Sequence, residues 1–559
     1  MKHLQKKHPN EHQKVLEEVS AEKLAKKAKQ QQSSSSEKQL TIEATIEKTQ
    51  GYGKNSLRRK AIDDALCKMI ATDLQPLSIV EDVGFTSFLK TVDPKYTAPS
   101  RKTITTVLLP RLYSTKKQQL QEELDGVKYC CLTTDLWTSR ATEGYLTLTC
   151  HFIDEAMALN STVLTTCHID QPHTADNISA ELQKITNAWG LTTKVHCIVT
   201  DSGSNVKAGV RLCKWNHLAC FAHTLNLIVT AAIKNDHELN EVVQKVKKVV
   251  TYFHKSTKAS ENLSTNQTRL NLPPHRLVQH VETRWNSVYY MLDRYLEQEE
   301  AIKTTLCLLD RNELIIPSEK ATLIKKAISV LSPFEAVTTE MSSESNPTAS
   351  KIIPITKGLR RVTLLHTDST LADNLRKEMT DRFPLGMEEN HLLALSTLLD
   401  PRFKAVAFSD RNAVEKAKRE LLQEAVTQYQ TPQTPQVEGP SNGAGGQQEQ
   451  CIDVWQFFDE QVHHIASHQT PTSSVLVELE QYVKAPIQPR HGNPLQWWGE
   501  NRHNYPTIFK VATKYLCTVA TSVPAERLFS KAGELISQRR SRLTAENVDI
   551  MILFLNTVC

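Results

Sequence analysis

The sequence predicts two kinds of architecture in one chain: an α/β domain over residues 125–235, and α-helix before and after it. Three observations carry that division. Two short apolar runs, Tyr129–Thr134 and Lys194–Thr200, each end in an aspartate, Asp135 and Asp201, and the aspartates stand 66 residues apart (201 − 135). Runs of that length and composition are strands buried on both faces. Leu146, Leu148, Cys150 and Phe152 alternate with polar residues, which is the period of a strand. Outside this window apolar residues recur at helical spacing, beginning with Ile62, Leu66, Met69 and Ile70.

Composition bounds the function. The chain has 559 residues, enough for three or four domains. No apolar run reaches the roughly 20 residues that span a bilayer. The segment MKHLQKKHPNEH has no apolar core and is not a secretory signal. Twelve cysteines scattered through apparent strands and helices read as reduced thiols of a cytosolic or nuclear protein. No glycine-rich phosphate loop appears. The net charge is +5, but residues 1–60 hold 14 Lys/Arg against 7 Asp/Glu, a net of +7, which leaves about −2 for the rest. A basic arm on a near-neutral body is a nucleic-acid footprint, and it is also what a solvated tail looks like.

Taken in order, residues 1–12 contain His3 and His8, spaced as the His-x₃₋₅-His half of a zinc finger, with no Cys-x₂-Cys upstream. Residues 13–55 are rich in Lys, Gln, Glu and Ser and read as a mobile linker. Residues 56–124 are expected to form a small all-helical, DNA-binding or dimer-like unit, with Arg58, Arg59 and Lys60 at its entry as the candidate DNA-binding cations. Its expected helices include Ile79–Lys90 and two short ones around Pro110. The helical core alone accounts for its apolar pattern.

The α/β region has expected strands over 128–134, around 146–152, over Thr162–His168 and over 194–200, with a helix over Asn177–Trp189. Three successive strands, a crossover helix and another strand begin a ribonuclease-H-like layout. That layout would set Asp135 on the central strand and Asp201 on its neighbour. Their oxygens would share a divalent ion, Mg²⁺ being the natural choice. Each aspartate has a plainer reading as the cap of the following turn.

Cys220 and His223 follow, a Cys-x₂-His opening the helix Thr224–Ile233. No second pair lies nearby, so a structural role beside the acidic site is the better reading. Residues 236–470 are mostly helical, with a flexible loop at 431–450. Glu282–Ser287 joins Arg284 to Trp285 just before a helix over 287–298. An arginine beside an exposed tryptophan grips a phosphate and stacks a base, although a tryptophan also suits a core position. Over residues 471–559, Pro524 and Glu526 start a helix whose apolar face is Leu528, Ala532, Leu535 and Ile536. Val548, Met551, Ile552 and Leu555 make another such face. Two apolar faces are more than one small domain buries, which predicts a homodimer or higher homo-oligomer.

The stretches TTDLWTS, VTDSGSN, CFAHTLNL, ETRWNS, LLDPRFK (398–404), NPLQWW and TSVPAERLFSKAG occur in this order across nearly the whole chain. Together they resemble the hAT transposase superfamily, and especially the zinc finger BED domain-containing proteins derived from it. The resemblance implies α/β plus all-α architecture: a ribonuclease-H-like domain interrupted by a large helical insertion, with a C-terminal hAT-type dimerisation region. It implies a catalytic and metal-binding set of Asp135, Asp201 and Glu526 for two Mg²⁺ or Mn²⁺ ions. It gives Trp285 the role of stacking on a flipped base beside Arg284. It makes His3 and His8 the last two zinc ligands of a BED finger, with zinc bound only if the other half is present. Two features depart from the family pattern: the finger's cysteine pair is missing, and Ala525 stands where a serine usually precedes the glutamate.

Two functions are consistent with these residues. One is a nuclear DNA-binding protein that acts in transcription and dimerises. The other is a DNA transposase that cuts and joins strands. Neither calls for a membrane or a small-molecule substrate.

Overall fold

The computed structural model describes residues 51–53, 55–138, 143–201, 203–343, 346–383, 385–429, 471–523, 525–526 and 549–553. His3, His8, most of the 13–55 linker, the 431–450 loop, and Leu528, Ala532, Leu535, Ile536, Val548 and Leu555 lie outside these residues. The chain divides into two compact units, Met1–Pro110 and Arg111–Cys559. No helix among the described residues is long and apolar enough to cross a membrane.

The first unit is helical. Helix α1 (Leu57–Thr72) buries Leu66, Cys67, Ile70 and Ala71 on one face. Buried Tyr96 donates its hydroxyl to Asp63 of α1 at 2.7 Å, which gives the buried carboxylate its partner. Folded structure reaches further toward the N-terminus than the linker assignment had it. The Tyr52 hydroxyl donates to Asp93 at 3.0 Å and its backbone N–H to Lys95 O at 3.2 Å. The helix expected at Ile79–Lys90 is a 3₁₀ turn, Leu77–Glu81, followed by α2 (Val83–Val92). Where a break was expected, a π-helical segment, Ile104–Leu108, precedes Pro110. Helix runs unbroken from Arg101 through this segment into α3 (Leu109–Asp125), so Pro110 lies inside a continuous helical run.

The second unit is built on five strands: β1 (Cys130–Thr138), β2 (Gly144–Ile153), β3 (Leu159–His168), β4 (Val195–Thr200) and β5 (Asn216–Ala219). Their order is β3-β2-β1-β4-β5, with β1, β2 and β3 antiparallel and β4 and β5 parallel to β1. Helix α4 (Ala175–Ala188) makes the crossover from β3 to β4. Helix α5 (Ser204–Leu212) makes the next, and sequence periodicity missed both α5 and the four-residue β5. One face of the sheet, with Cys130, Leu132, Leu146, Leu148 and Ile198, packs on α3, α4 and α5. The other face, with Cys131, Cys197 and Val199, joins the large core of the helical insertion. Both faces are covered, which is why the strands read as nearly continuous apolar and β-branched runs.

Helix α6 (Phe221–Asn235) leaves the sheet and leads into α7 (His237–Lys255), α8 (Thr257–Arg269), α9 (Asn286–Glu297), α10 (Glu299–Leu308) and α11 (Ser318–Met341). The insertion continues through α12 (Ile352–Thr363), α13 (Thr370–Arg382), α14 (His391–Leu398) and α15 (Arg411–Gln428). The C-terminal region returns as α16 (Pro471–Lys484), α17 (Pro494–Asn501) and α18 (Pro506–Leu516).

The LLDPRFK stretch joins these two parts. Buried Arg402 pairs with buried Asp400 through two hydrogen bonds, at 2.9 and 2.6 Å, and Ser350 adds a third at 2.6 Å. Lys404, also buried, donates to the carbonyls of Tyr482 and Ala485 at the end of α16, at 2.6 and 2.7 Å. In return the Tyr482 hydroxyl donates to Leu398 O and the Trp498 indole to Leu399 O. The buried side chains of Asp400, Arg402 and Lys404 thus each have hydrogen-bond partners, which is the condition for burying them without loss.

Met551 and Ile552, assigned above to an exposed dimer face, are fully buried within the chain. The reason lies at Asp549. Its carboxylate accepts from Thr166 N at 2.7 Å and the Thr165 hydroxyl at 3.0 Å, both on β3, and from the Tyr113 hydroxyl of α3 at 2.8 Å. That grip covers the outer edge of β3 and seats Leu553 in the core beneath the sheet.

Candidate acidic site

Asp135 lies inside β1, not after it, because the strand runs four residues (138 − 134) further than its apolar stretch. It pairs with Thr147 of β2. Trp137, on the same side of β1, stacks on Tyr145 at 4.8 Å and donates its indole N–H to the Thr147 hydroxyl at 3.3 Å. A strand continues past Asp135, so it caps no turn there.

Asp201 follows the last residue of β4. One of its oxygens accepts from Gly203 N at 3.1 Å, so this aspartate does cap the turn into α5. Glycine suits that position: a Cβ on residue 203 would stand 3.1 Å from the carboxylate. The other carboxylate oxygen has no hydrogen-bond partner among the described residues.

Glu526 arrives from the far end of the chain, and Cys220 is what guides it. The Cys220 backbone N–H donates to Thr200 O at 2.7 Å, beside Asp201. Its thiol accepts from His223 N, as the cap of α6, and from Ser522 N, each at 3.4 Å. Phe221 N donates to Ala520 O at 2.8 Å, and Ala520 N to the Thr348 hydroxyl at 2.8 Å. The segment 520–522 is thereby held against the end of β4. Glu526 N donates to Ser522 O at 3.0 Å in the first turn of the helix that begins there.

Electrostatics link the three carboxylates. Burial, then Glu526, then Asp201 push Asp135 up to about 7 from an ordinary 3.8. Burial raises Glu526 as well. Arg284 and His223 pull it back down, and Asp201 pushes it up. The set is rich in hard oxygen donors and short of positive charge, which is the chemistry that suits Mg²⁺ or Mn²⁺. Among the described residues, however, no three His, Cys, Asp or Glu side chains converge as a ready ligand set. The carboxylates feel one another without closing on a point, and coordination would require them to draw together.

Arg284 is exposed, but Trp285 is not. Only 3 % of its surface is accessible, and it belongs to the large core. Its backbone N–H donates to Asn226 of α6 at 2.9 Å, and its indole N–H has no partner among the described residues. The ring therefore offers no face to a base in this arrangement. Packing decided it: the aromatic turned inward with α9 and left the arginine at the rim. Asn226 had no assigned role at the sequence level, although it stands in the CFAHTLNL stretch that drew notice.

In the first unit, Arg58 is largely exposed and 4.0 Å from Asp93. Arg59 is engaged, by Asp63 at 3.8 Å and by Tyr52 O at 3.3 Å. Lys60 is exposed.

Comparison with known proteins bears on this geometry. Residues 133–219 match the ZBED1 RNase-like domain, 218–330 the ZBED1 RNase-like helical domain, and 478–557 the hAT family C-terminal dimerisation region. The chain is similar to human zinc finger BED domain-containing protein 4, at 29 % identity over 88 % of this chain and 43 % of that protein. It is similar to the rice zinc finger BED domain-containing protein RICESLEEPER 2, at 25 % identity over 90 % of this chain and 75 % of the relative. It is also similar to the maize putative AC transposase, at 24 % identity over 85 % of this chain and 62 % of the relative. This chain thus spans less than half the length of the human relative and between three-fifths and three-quarters of the two plant proteins.

Proposed function

We propose that this chain, a hAT-derived protein of the BED type with the superfamily's RNase-like domain and dimerisation region, is a self-associating nuclear DNA-binding protein that acts in transcription. The observation that carries the reading is the contrast between Arg284 and Trp285. The cation is exposed and available to a phosphate, while the aromatic that would hold a flipped base is packed in the core. Contacts to phosphate position a protein on DNA without reading its sequence, and Arg58 and Lys60 supply such contacts on the first unit. The C-terminal region provides the partner surface, and two copies double the number of phosphate contacts.

A second reading is strand cleavage and transfer. The coupling of Asp135 to Glu526 and Asp201 favours it. Two divalent ions bound there would activate a water or a 3′-hydroxyl and stabilise the leaving oxygen. The protein's own part would be to hold three carboxylates on one side of the sheet, with Arg284 beside the entering phosphate. Incubation with a labelled duplex and Mn²⁺ separates the readings. A shifted, uncut duplex supports the first, and nicks that disappear with Asp135→Asn overturn it in favour of the second.

A further inference from the structure

A half-open cavity of about 180 Å³ lies away from the acidic site, where α12 meets the segments around Met387 and Ser409. Thr356 and Arg360 stand one turn apart on α12, so their polar atoms share one face. Thr356 is 4 % exposed, and its hydroxyl has no hydrogen-bond partner among the described residues. The Arg360 Nε–H is buried and equally without a partner. Both residues line the cavity, as does Lys357.

Arg360 is otherwise committed to backbone. Its Nη2 donates to Phe383 O and to Met379 O, which caps the end of α13. No carboxylate pairs with it among the described residues, and burial alone depresses its pKa. Of the three acidic residues that line the cavity, Glu388 and Asp410 are engaged by backbone N–H groups. Both oxygens of Glu388 accept from Ser409 N, at 2.9 and 2.8 Å, and one of them from Asp410 N at 2.9 Å. Asp410 accepts from Asn412 N at 2.8 Å. Glu389 is exposed at the rim.

Leaving a buried donor unpaired is costly, and each such group in a native protein calls for a ligand or a water. One water would serve both donors, but the cavity has room for about six at ~30 Å³ each. A guanidinium edge and a hydroxyl facing one recess, beside the Lys357 ammonium that already donates one hydrogen bond to Ala407 O at 2.7 Å, match an oxyanion, whose several acceptors can satisfy them. We propose that this cavity is a binding site for a single free phosphate-class oxyanion, held by the Arg360 Nε–H, the Thr356 hydroxyl and Lys357.

Isothermal titration of the full chain with inorganic phosphate, against chloride at equal ionic strength, tests the proposal. Saturable binding is expected, weakened about tenfold by Thr356→Val, which keeps the shape and removes the hydroxyl. Arg360→Lys, which keeps the charge and removes the Nε–H, should weaken it further. Thermal melts of both variants check that the fold survives. If Arg360→Lys unfolds through loss of the α13 cap, Thr356→Val alone decides. No saturable heat in the wild type, or equal affinity in Thr356→Val, overturns the site and leaves ordered water in the cavity. A duplex DNA competitor identifies the source of the phosphate. Unchanged phosphate affinity supports a free ion, and displacement by the duplex overturns that in favour of a nucleic-acid backbone.

Discussion

Asp135, inside β1, and Asp201, the residue after β4, keep the offset at which these two parallel strands pair. Thr133 pairs with Val199 across β1 and β4, an offset of 66 residues (199 − 133), which is also the interval from Asp135 to Asp201. The sequence interval between the two aspartates is therefore the register of the sheet. A slip of one residue would turn one carboxylate to the opposite face.

A first prediction concerns Asp135 and pH. Its carboxyl titrates at about 7 in the native protein and at 3.8 ordinarily. Between those values the native state holds a proton that the unfolded chain has released. The raised pKa contributes stability that is full below about pH 4 and is lost as pH rises toward 7. The melting temperature of metal-free protein should thus be lowered by this group across that window, and Asp135→Asn should flatten the change. Mn²⁺ at 100 times its Kd should restore about 2.7 kcal/mol near neutral pH, in wild type only. Melts at pH 5 and 7.5, with and without Mn²⁺, check this. Absence of a metal response in wild type, together with a destabilised Asp135→Asn, would leave the carboxylate a structural role.

Asp201 should behave differently, because one of its oxygens caps Gly203. Asp201→Asn keeps an acceptor for that turn, whereas Asp201→Ala does not. The alanine variant should lose about 1 kcal/mol more than the asparagine variant in urea unfolding. Equal losses would show that the cap contributes nothing.

Acid should weaken the sheet through His196. Burial, then Lys514 and His391, lower its pKa to about 3 from 6.5, and its ring meets Tyr515 edge-on at 4.6 Å. Below pH 6.5 the unfolded chain takes up a proton that the native state refuses. Stability should therefore fall by up to about 1.4 kcal/mol per pH unit until pH 3. His196→Phe should make the decline between pH 6.5 and 4.5 shallower. A parallel decline in both proteins counts against the buried ring as its source.

DNA binding should be electrostatic and should divide among three adjacent cations. Arg58→Ala and Lys60→Ala should each reduce the slope of log K against log salt by about 1. Arg59→Ala should leave the slope and instead lower the melting temperature, because Arg59 is held by Asp63 and Tyr52. Fluorescence anisotropy in a salt series measures the slopes, and binding that is indifferent to salt would exclude this mode.

Self-association is expected at micromolar concentration in light scattering. Deleting residues 541–559 is the wrong probe for it, since that removes Asp549 and Leu553 from the chain's own core. Leu476 and Val477 on α16 are apolar and exposed, and they adjoin the matched dimerisation region. Replacing both with serine should shift the protein toward monomer and preserve its melting temperature. A wild-type monomer ends the argument.

Much of the α/β region was legible because β-branched runs ending in aspartate have few alternatives. Asp135 and Asp201 were found that way, and the central position of β1 followed from the order of the strands. β5 escaped notice because four residues, Asn216–Ala219, carry no period. The orientation of Trp285 was open in the sequence, since both a core and a base can cover an indole, and α6 with Asn226 decided it. Lys404 was illegible for another reason. A lysine reads as surface, and only its capture by the carbonyls of Tyr482 and Ala485 makes its burial possible. Asp549 carried no assignment in the sequence, because its partners Thr165, Thr166 and Tyr113 lie more than 380 residues away.

The Cys220 thiol also sets a timetable. It joins Ser522 across 302 residues of chain, so the third carboxylate cannot reach the other two until the whole insertion has been made and folded. At ribosomal speeds of 5–20 residues per second that interval is about 15–60 s. Throughout it, a nascent chain carries a finished pair of aspartates without the glutamate. A polypeptide released before Glu526 would lack the third carboxylate.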